Sequence, residues 1–323
     1  MTVTCLRNLV IAVLFAVPLA AIGQTWPSRP VRLVVPYPPG ASSDAFARPI
    51  SSRLTESLGQ PVVVDFRPGA GATIGADLVA KSAPDGHTIL VVFSTHYSLP
   101  LFQKAVPYDV MKDFTPIIAA AAIPMAFAVH PSFPASTMAE FLDYARKTPE
   151  GVFFGSGGIG SPSHLAGEML AQVAAIKFTH VPYKGGAPMM TEFLGGQIKA
   201  GFGMLPSFMP HAKNGSIRVL AVTQEKRTKS APEIPSITET VPNYALPDIW
   251  VGILGPAGLP SPIVSRIHAE VRKALNHAEV RDRLQAAGFE ITGDLSPAQL
   301  AESIQRSMEV FRQITSQAGI KPE

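Results

Sequence analysis

The 323-residue sequence predicts an α/β protein of two lobes, each a mostly parallel sheet flanked by helices, joined by two crossover strands. Three observations carry this. Short β-branched runs alternate with helical stretches in two separate blocks, the pattern of parallel strands linked by helices. The phrase V-P-Y-x-x-G-A occurs at the end of a predicted strand in each block, as VPYPPGA (35–41) and VPYKGGA (181–187). An unbroken apolar stretch at 117–129 and a late strand at 249–254 have the length and position to pass between the blocks.

In the first block, VRLVV (31–35) is a strand stopped by Pro36. Apolar residues at Phe46, Ile50, Leu54 and Leu58 then give a helix over 45–58 that Gly59 closes. A strand at 61–66, a helix at 74–83 and a strand at 89–93 follow. In the second block the helices are predicted at 138–147, 162–174 and 188–194. The strands fall at 151–154, 176–181, 198–202 and 217–222. Residues 227–247, rich in Pro, Ser and Thr, read as a connector. Two amphipathic helices end the chain. One has the face Ile263, Val264, Ile267, Val271 and Leu275. The other is capped by Ser296 with Pro297 at its first position and carries Leu300, Ile304, Met308, Phe311 and Ile314. The C-terminal segment is expected to return to the first lobe, which gives 24–123 plus 246–323 as lobe one and 124–245 as lobe two.

At the amino end, Arg7 precedes an apolar run from Leu9 to Ile22. Ala21 and Gly23 stand at the −3 and −1 positions of a cut before Gln24. Residues 1–23 therefore read as a secretory signal peptide, and the mature protein is expected in the periplasm. The single cysteine, Cys5, lies in that leader, so no disulfide or thiol ligand is expected in the mature chain. Charged residues are only 16% of the chain and the formal net charge is +3 without a basic cluster, which leaves nucleic-acid binding without a footprint.

The chemistry-bearing stretches sit at strand ends. In open parallel sheets that is where free amides and helix N-termini gather a ligand. In the first, Tyr37, Gly40, Ala41 and Ser42 form a tight turn into a helix; a purely structural turn is the alternative. Ser94, Thr95 and His96 follow the third strand. The most glycine-dense loop is GSGGIGSPSH (155–164), in which the amides of Ser156, Gly157, Gly158, Ile159, Gly160 and Ser161 form a cradle suited to a small carboxylate. His164 falls in the first turn of the next helix, either as a ligand contact or as a structural hydrogen bond. Gly155, Gly157 and Gly160 match G-x-G-x-x-G, but no acid for a ribose follows and Pro162 delays the helix, so no nucleotide cofactor is expected. The G-x-S-x-G elbow fails at Phe154, and the histidines show no H-x-x-x-H or H-E-x-x-H pair, so neither catalytic residue nor metal is expected.

These stretches together resemble the substrate-binding proteins of tripartite tricarboxylate transporters, the Bug or TctC-like family. The resemblance covers nearly all of the mature chain. It runs through WPSRPVRLVVPYPPGASSDAFAR, RPGAGATIGADLVAKSAPDGHTIL, VPYDVMKDFTPI, GSGGIGSPSHLAGEML, VPYKGGAPMMTEFLGGQI and WVGILGPAGLP. It implies a periplasmic-binding-protein (Venus flytrap) fold with a two-strand hinge, closing as a monomer on a small organic acid and delivering it to membrane permease subunits. It also implies that Tyr37, Gly40, Ala41, Ser42, Ser94 to His96, Ser156 to Ser161, His164, Tyr183 and Gly185 face the ligand. Two alternatives stay open: a periplasmic sensor using the same cleft, and a hydrolase, which a serine hydrogen-bonded to a histidine in the cleft would favour. Relatives usually carry P-G-G where this chain has Ala41, so the Ala41 φ must suit an L-residue or the loop must shift. The stretch IKAGFGMLP (198–206) holds no carboxylate near lobe two's strand, which disfavours an amino-acid ligand.

Overall fold

The structure, a computed structural model, describes residues 26–322. The predicted leader at 1–23 lies outside the described residues. Two mixed sheets, each flanked by helices, organise the chain.

The first half of the first sheet comes from β1 (Val31–Val35), β2 (Val62–Phe66) and β3 (Thr88–Phe93), with helices α1 (Ser42–Leu58) and α2 (Thr73–Ala80) between them. β4 (Phe114–Ala122) follows, and the chain then passes straight through Ile123 and Pro124 into β5 (Met125–Val129) of the second sheet. There α3 (Met138–Arg146), β6 (Val152–Ser156), α4 (Pro162–Ala174), β7 (Phe178–Pro182), α5 (Gly186–Leu194), β8 (Ala200–Met204), α6 (Leu205–Lys213) and β9 (Arg218–Val222) complete the block. After the connector, β10 (Trp250–Pro256) re-enters the first sheet. The chain ends with α7 (Ser261–Asn276), α8 (Ala278–Ala286), β11 (Glu290–Ile291) and α9 (Pro297–Gln317).

The sheet orders are β11-β4-β10-β3-β1-β2 and β7-β6-β8-β5-β9. β1 pairs parallel with β2 and β3, and β6 pairs parallel with β7 and β8. β10 runs antiparallel to β3 and β4, and β5 antiparallel to β8 and β9. The reversed long strands are thus the two that have just arrived from the other sheet. A strand entering from the neighbouring lobe starts at the end where the local strands finish, so it must run against them.

Core packing does not stop at the lobe boundary. The α9 stripe foreseen in the sequence (Leu300, Ile304, Met308, Phe311 and Ile314) is buried in one continuous apolar cluster. That cluster includes Val34 and Leu90 of the first sheet and Phe154, Leu165 and Met169 of the second block. α9 packs on both β4 and α4, and Gln172 Nε2 donates to the Ile314 carbonyl at 3.0 Å. A second tie joins β11 to the connector: the Glu290 carboxylate accepts from Thr228 Oγ1, from the Ser230 amide at 3.0 Å and from Ser230 Oγ at 2.8 Å.

Most elements lie within a few residues of their sequence assignments. α1 begins three residues earlier than expected, at Ser42, because Gly40 takes φ +81° and ends the turn there. α6 is absent from the sequence reading: Pro206 and Pro210 hide it, yet Pro206 sits at its amino end, where a missing N–H costs nothing. α8 and the two-residue β11 also escape the sequence reading. The connector is irregular as expected, but it is pinned by a bidentate Arg227–Glu239 pair and a Ser236 capping box.

Gly252, in the centre of β10, lies so close to β4 that a Cβ there would stand 2.0 Å from the Ile118 carbonyl oxygen. Backbone cannot retreat as a side-chain tip can. Gly252→Ala is expected to destabilise the protein by about 1–3 kcal/mol, read as a lowered midpoint in urea unfolding.

Candidate functional site

The sequence-selected residues gather at the carboxyl ends of neighbouring strands, in two groups. The first follows β1 and β3, which are adjacent in their sheet; the second follows β6 and β7, adjacent in theirs.

In the first group the left-handed backbone falls on Gly40, not on its neighbour. Ala41 is the N-cap of α1 with φ −74° and ψ 169°, an extended conformation open to any L-residue. The alanine therefore fits without shifting the loop. The helix is capped from inside: Asp44 Oδ2 accepts from the Gly40 amide at 2.8 Å, and Oδ1 pairs with Arg48 Nε at 2.6 Å. Arg48 also lies over the Phe66 ring, 5.5 Å from its centroid. The ionic pair of this turn is thus closed on itself. Ser42 is exposed, whereas Ser43, one residue on, is fully buried and its Oγ has no hydrogen-bond partner among the described residues. Sequence reasoning passes over Ser43 in favour of Ser42; the helical stripe Ser43, Phe46, Ala47, Ile50, Leu54 is the signal that could have found it. Tyr37 packs edge-on to Phe93 at 5.3 Å, and burial pushes its phenol up to about 12, so it stays protonated as a donor.

The residues after β3 turn inward. Ser94 Oγ donates to the Asp248 carbonyl at 3.4 Å and accepts from the Trp250 amide at 3.3 Å, bonding β3 to the start of the returning strand. His96 is buried, stacked on Tyr108 at 5.4 Å and edge-on to Tyr97 and Phe114. Of these three side chains only Thr95 is half-buried.

The second group is tied together by side chains bonding to its own amides. Gly157 N donates to Ser163 Oγ at 2.9 Å, Gly158 N to Ser156 Oγ at 3.0 Å, Gly160 N to His164 Nδ1 at 3.1 Å and Ser161 N to the Gly158 carbonyl at 3.1 Å. Ser161 caps α4. The β7 loop is joined on by Tyr183 N to the Ser156 carbonyl, 3.2 Å, and Gly185 N to the Gly157 carbonyl, 3.1 Å. Most of the expected cradle is therefore already spent. Among the described residues only the amides of Ile159 and Ser163, in the run 157–163, have no protein acceptor. Ile159 is exposed, and a Cβ at Gly185 or Gly186 would meet nothing within 4 Å.

Ser156 Oγ lies 2.5 Å from His180 Nε2, a contact the sequence does not foretell. The serine faces inward and the histidine is half-buried. Ser156 has no exposed surface, and the His180 ring lies between Phe154 (5.1 Å) and His164 (3.8 Å, nearly parallel). Burial first, and the neighbouring His164 second, push the His180 imidazole down to about 3, so it is neutral and shares a hydrogen bond with the serine through Nε2. His164 Nε2 is 3.5 Å from Glu168 Oε1. The pair fastens β6 to β7, with the serine hydroxyl buried. Among the described residues no cluster of three metal-ligating side chains occurs, and no helix is long and apolar enough to cross a membrane.

With this geometry established, comparison with known proteins decides the family. A model described as "Tripartite tricarboxylate transporter family receptor" (TctC) matches residues 46–320. The chain belongs to the TctC family. A UPF0065 protein of Bordetella bronchiseptica is 37% identical over 304 residues, spanning 94% of this chain and 90% of that one. Among solved structures, the periplasmic binding protein BugD is 29% identical with a TM-score of 0.73, covering 92% of this chain and 100% of BugD. The R. palustris protein Rpa4515, solved with adipate, is 34% identical with a TM-score of 0.77, again covering 92% and 100%. Family and fold are those of periplasmic solute-binding proteins, as the sequence motifs implied.

His96 is likewise pushed down to about 3 by burial. Between pH 6.5 and 3 the unfolded chain binds protons at His96 and His180 that the folded protein refuses, so stability is full above pH 6.5 and falls on acidification. For His96, which is 4% exposed, the loss from pH 7 to pH 5 is about 2 kcal/mol. His96→Phe should lose correspondingly less over that interval, checked by urea unfolding at the two pH values.

Proposed function

We propose that the protein is an extracytoplasmic solute-binding protein that captures a small organic acid between its two lobes and delivers it, as a monomer in the periplasm, to the permease subunits of a tripartite tricarboxylate transporter. One observation carries the ligand class. The loops at both strand ends offer amides and hydroxyls, while Asp44 is paired with Arg48 and Glu168 lies beside His164. Lys184, exposed between Tyr183 and Gly185, adds a positive charge. An anion held there is met by helix N-termini, hydroxyls and the Lys184 ammonium, with the Glu192 carboxylate near Tyr183 as the opposing charge. The adipate in Rpa4515 supports the same class.

On this reading the lobes are 24–123 with 246–323, and 124–245. In lobe one Tyr37, Gly40, Ala41, Ser42 and Thr95 line the jaw, with Ser43 beneath them. In lobe two the Ile159 and Ser163 amides, Gly157, Tyr183 and Gly185 line the other. Ser94, His96, Ser156 and His164 act behind these, holding the loops in place. Binding shifts the open–closed equilibrium because the acid contacts both jaws only when they meet.

Thermal unfolding against mono-, di-, tri- and aromatic carboxylates and amino acids tests this. An acid at a hundred times its Kd should add about 2.7 kcal/mol; a response to nucleotides and to no acid would overturn the reading. Gly157 lacks a positive φ, and a Cβ there meets its nearest atoms at 3.6–3.8 Å, ordinary contact. Gly157→Val should therefore fold normally yet weaken acid binding at least tenfold by calorimetry, about 1.4 kcal/mol; unchanged affinity would remove the β6–α4 loop from the site.

A further inference from the structure

The segment after β3 does something that neither the motifs nor the family description assigns. It leaves the strand end through a short helical turn, Leu99–Leu101, held by Ser98 Oγ on the Thr95 carbonyl (2.9 Å) and Gln103 N on the Leu99 carbonyl (2.9 Å). Its next two side chains then reach in different directions. Phe102 lays its ring against Gly160 of the β6–α4 loop, in the second block: a Cβ on Gly160 would stand 2.6 Å from Phe102 Cγ and 2.9 Å from both Cδ atoms. Gln103 reaches the β2–α2 loop of the first block, where a Cβ on Gly71 would stand 2.6 Å from its Nε2. Successive residues of one short strap are thus seated on a glycine of each block, and both glycines belong to loops at the carboxyl ends of strands.

We propose that residues 99–103 form a strap across the mouth of the site, with Phe102 on Gly160 as the specificity-determining contact that limits the size of the bound acid and slows its release. The inference rests on the solute-binding reading above. It gives a role to the glycine-rich RPGAG stretch (67–71) and to Gly160, whose absence of a side chain is what admits the ring. His96 is the strap's root: its stacking on Tyr108 and edge contacts with Tyr97 and Phe114 fix the backbone from which the strap departs. Beside Gly160 stand two apolar side chains, the Phe102 ring and the exposed Ile159. An acid with a hydrocarbon body suits that lining better than a hydroxylated or amino acid of the same length.

The test compares wild type, Phe102→Ala and Gly160→Ala of the full chain. Binding is measured by calorimetry and release by stopped flow, with adipate and a series of dicarboxylates of growing bulk up to a naphthalene dicarboxylate. Loss of the ring should raise the release rate of adipate about tenfold, since interface changes act chiefly on dissociation. It should also admit the bulky acids that the wild type refuses. Gly160→Ala should act in the same direction, but it also strains a left-handed backbone (φ +75°), so Phe102→Ala decides the question. Wild-type release and an unchanged size limit in Phe102→Ala would overturn the strap while leaving the solute-binding reading intact. Failure of the wild type to bind any acid in the series would overturn both.

Discussion

The rest of the structure hangs on the seam that α9 lays across both sheets. Two α/β lobes joined by two covalent passages could each bury its own core and swing freely. Here the terminal helix shares its apolar face between β4 and α4, so a single cluster runs from Val34 to Phe154 without a polar break. Opening the lobes at the helix would expose that face, at about 25 cal/mol for each Å² uncovered. Any relative movement of the two sheets would have to keep that helical face covered. The two passages and α9 together join the sheets, with Glu290 and its connector hydroxyls fastening β11 to the 228–230 segment.

That constraint explains how the site can be built from loops. Four of the amides in 157–161 are bound by the loop's own serines, histidine and carbonyl, and the first turn is braced by Asp44 reaching back to Gly40. Each internal bond uses up one donor and leaves the remaining donors fixed in direction. Preorganised dipoles in fixed positions hold an anion without reorganisation on binding. The trade is fewer contacts for better-aimed ones.

The sequence revealed the elements and the two strand-end clusters because those depend on local rules: β-branched runs, the Ser296–Pro297 start of the last helix, glycine after Pro-Tyr. It did not show which way side chains turn. Ser42 and Ser43 are equivalent by composition, and only the register of α1 buries one of them. Ser94 and His96 looked like cleft lining because they follow a strand, yet the returning β10, more than 150 residues away, claims the serine. His180 was invisible as Ser156's partner, because the contact depends on β6 and β7 lying side by side. α6 was hidden by two prolines, of which Pro206 is harmless once the helix start is known, whereas Pro210 lies inside the helix.

The reversed strands β5 and β10 carry a further consequence for how the chain comes to be folded. On a polypeptide made amino end first, the second sheet has all its strands once Val222 has emerged. The first sheet waits for β10, an interior strand between β4 and β3, and then for β11 and α9. Until then β3 has an open edge where β10 belongs, the kind of unpaired backbone that invites pairing with another chain. The lobe that begins first is thus the one that finishes last, and its completion at residue 317 is also what seals it to its neighbour.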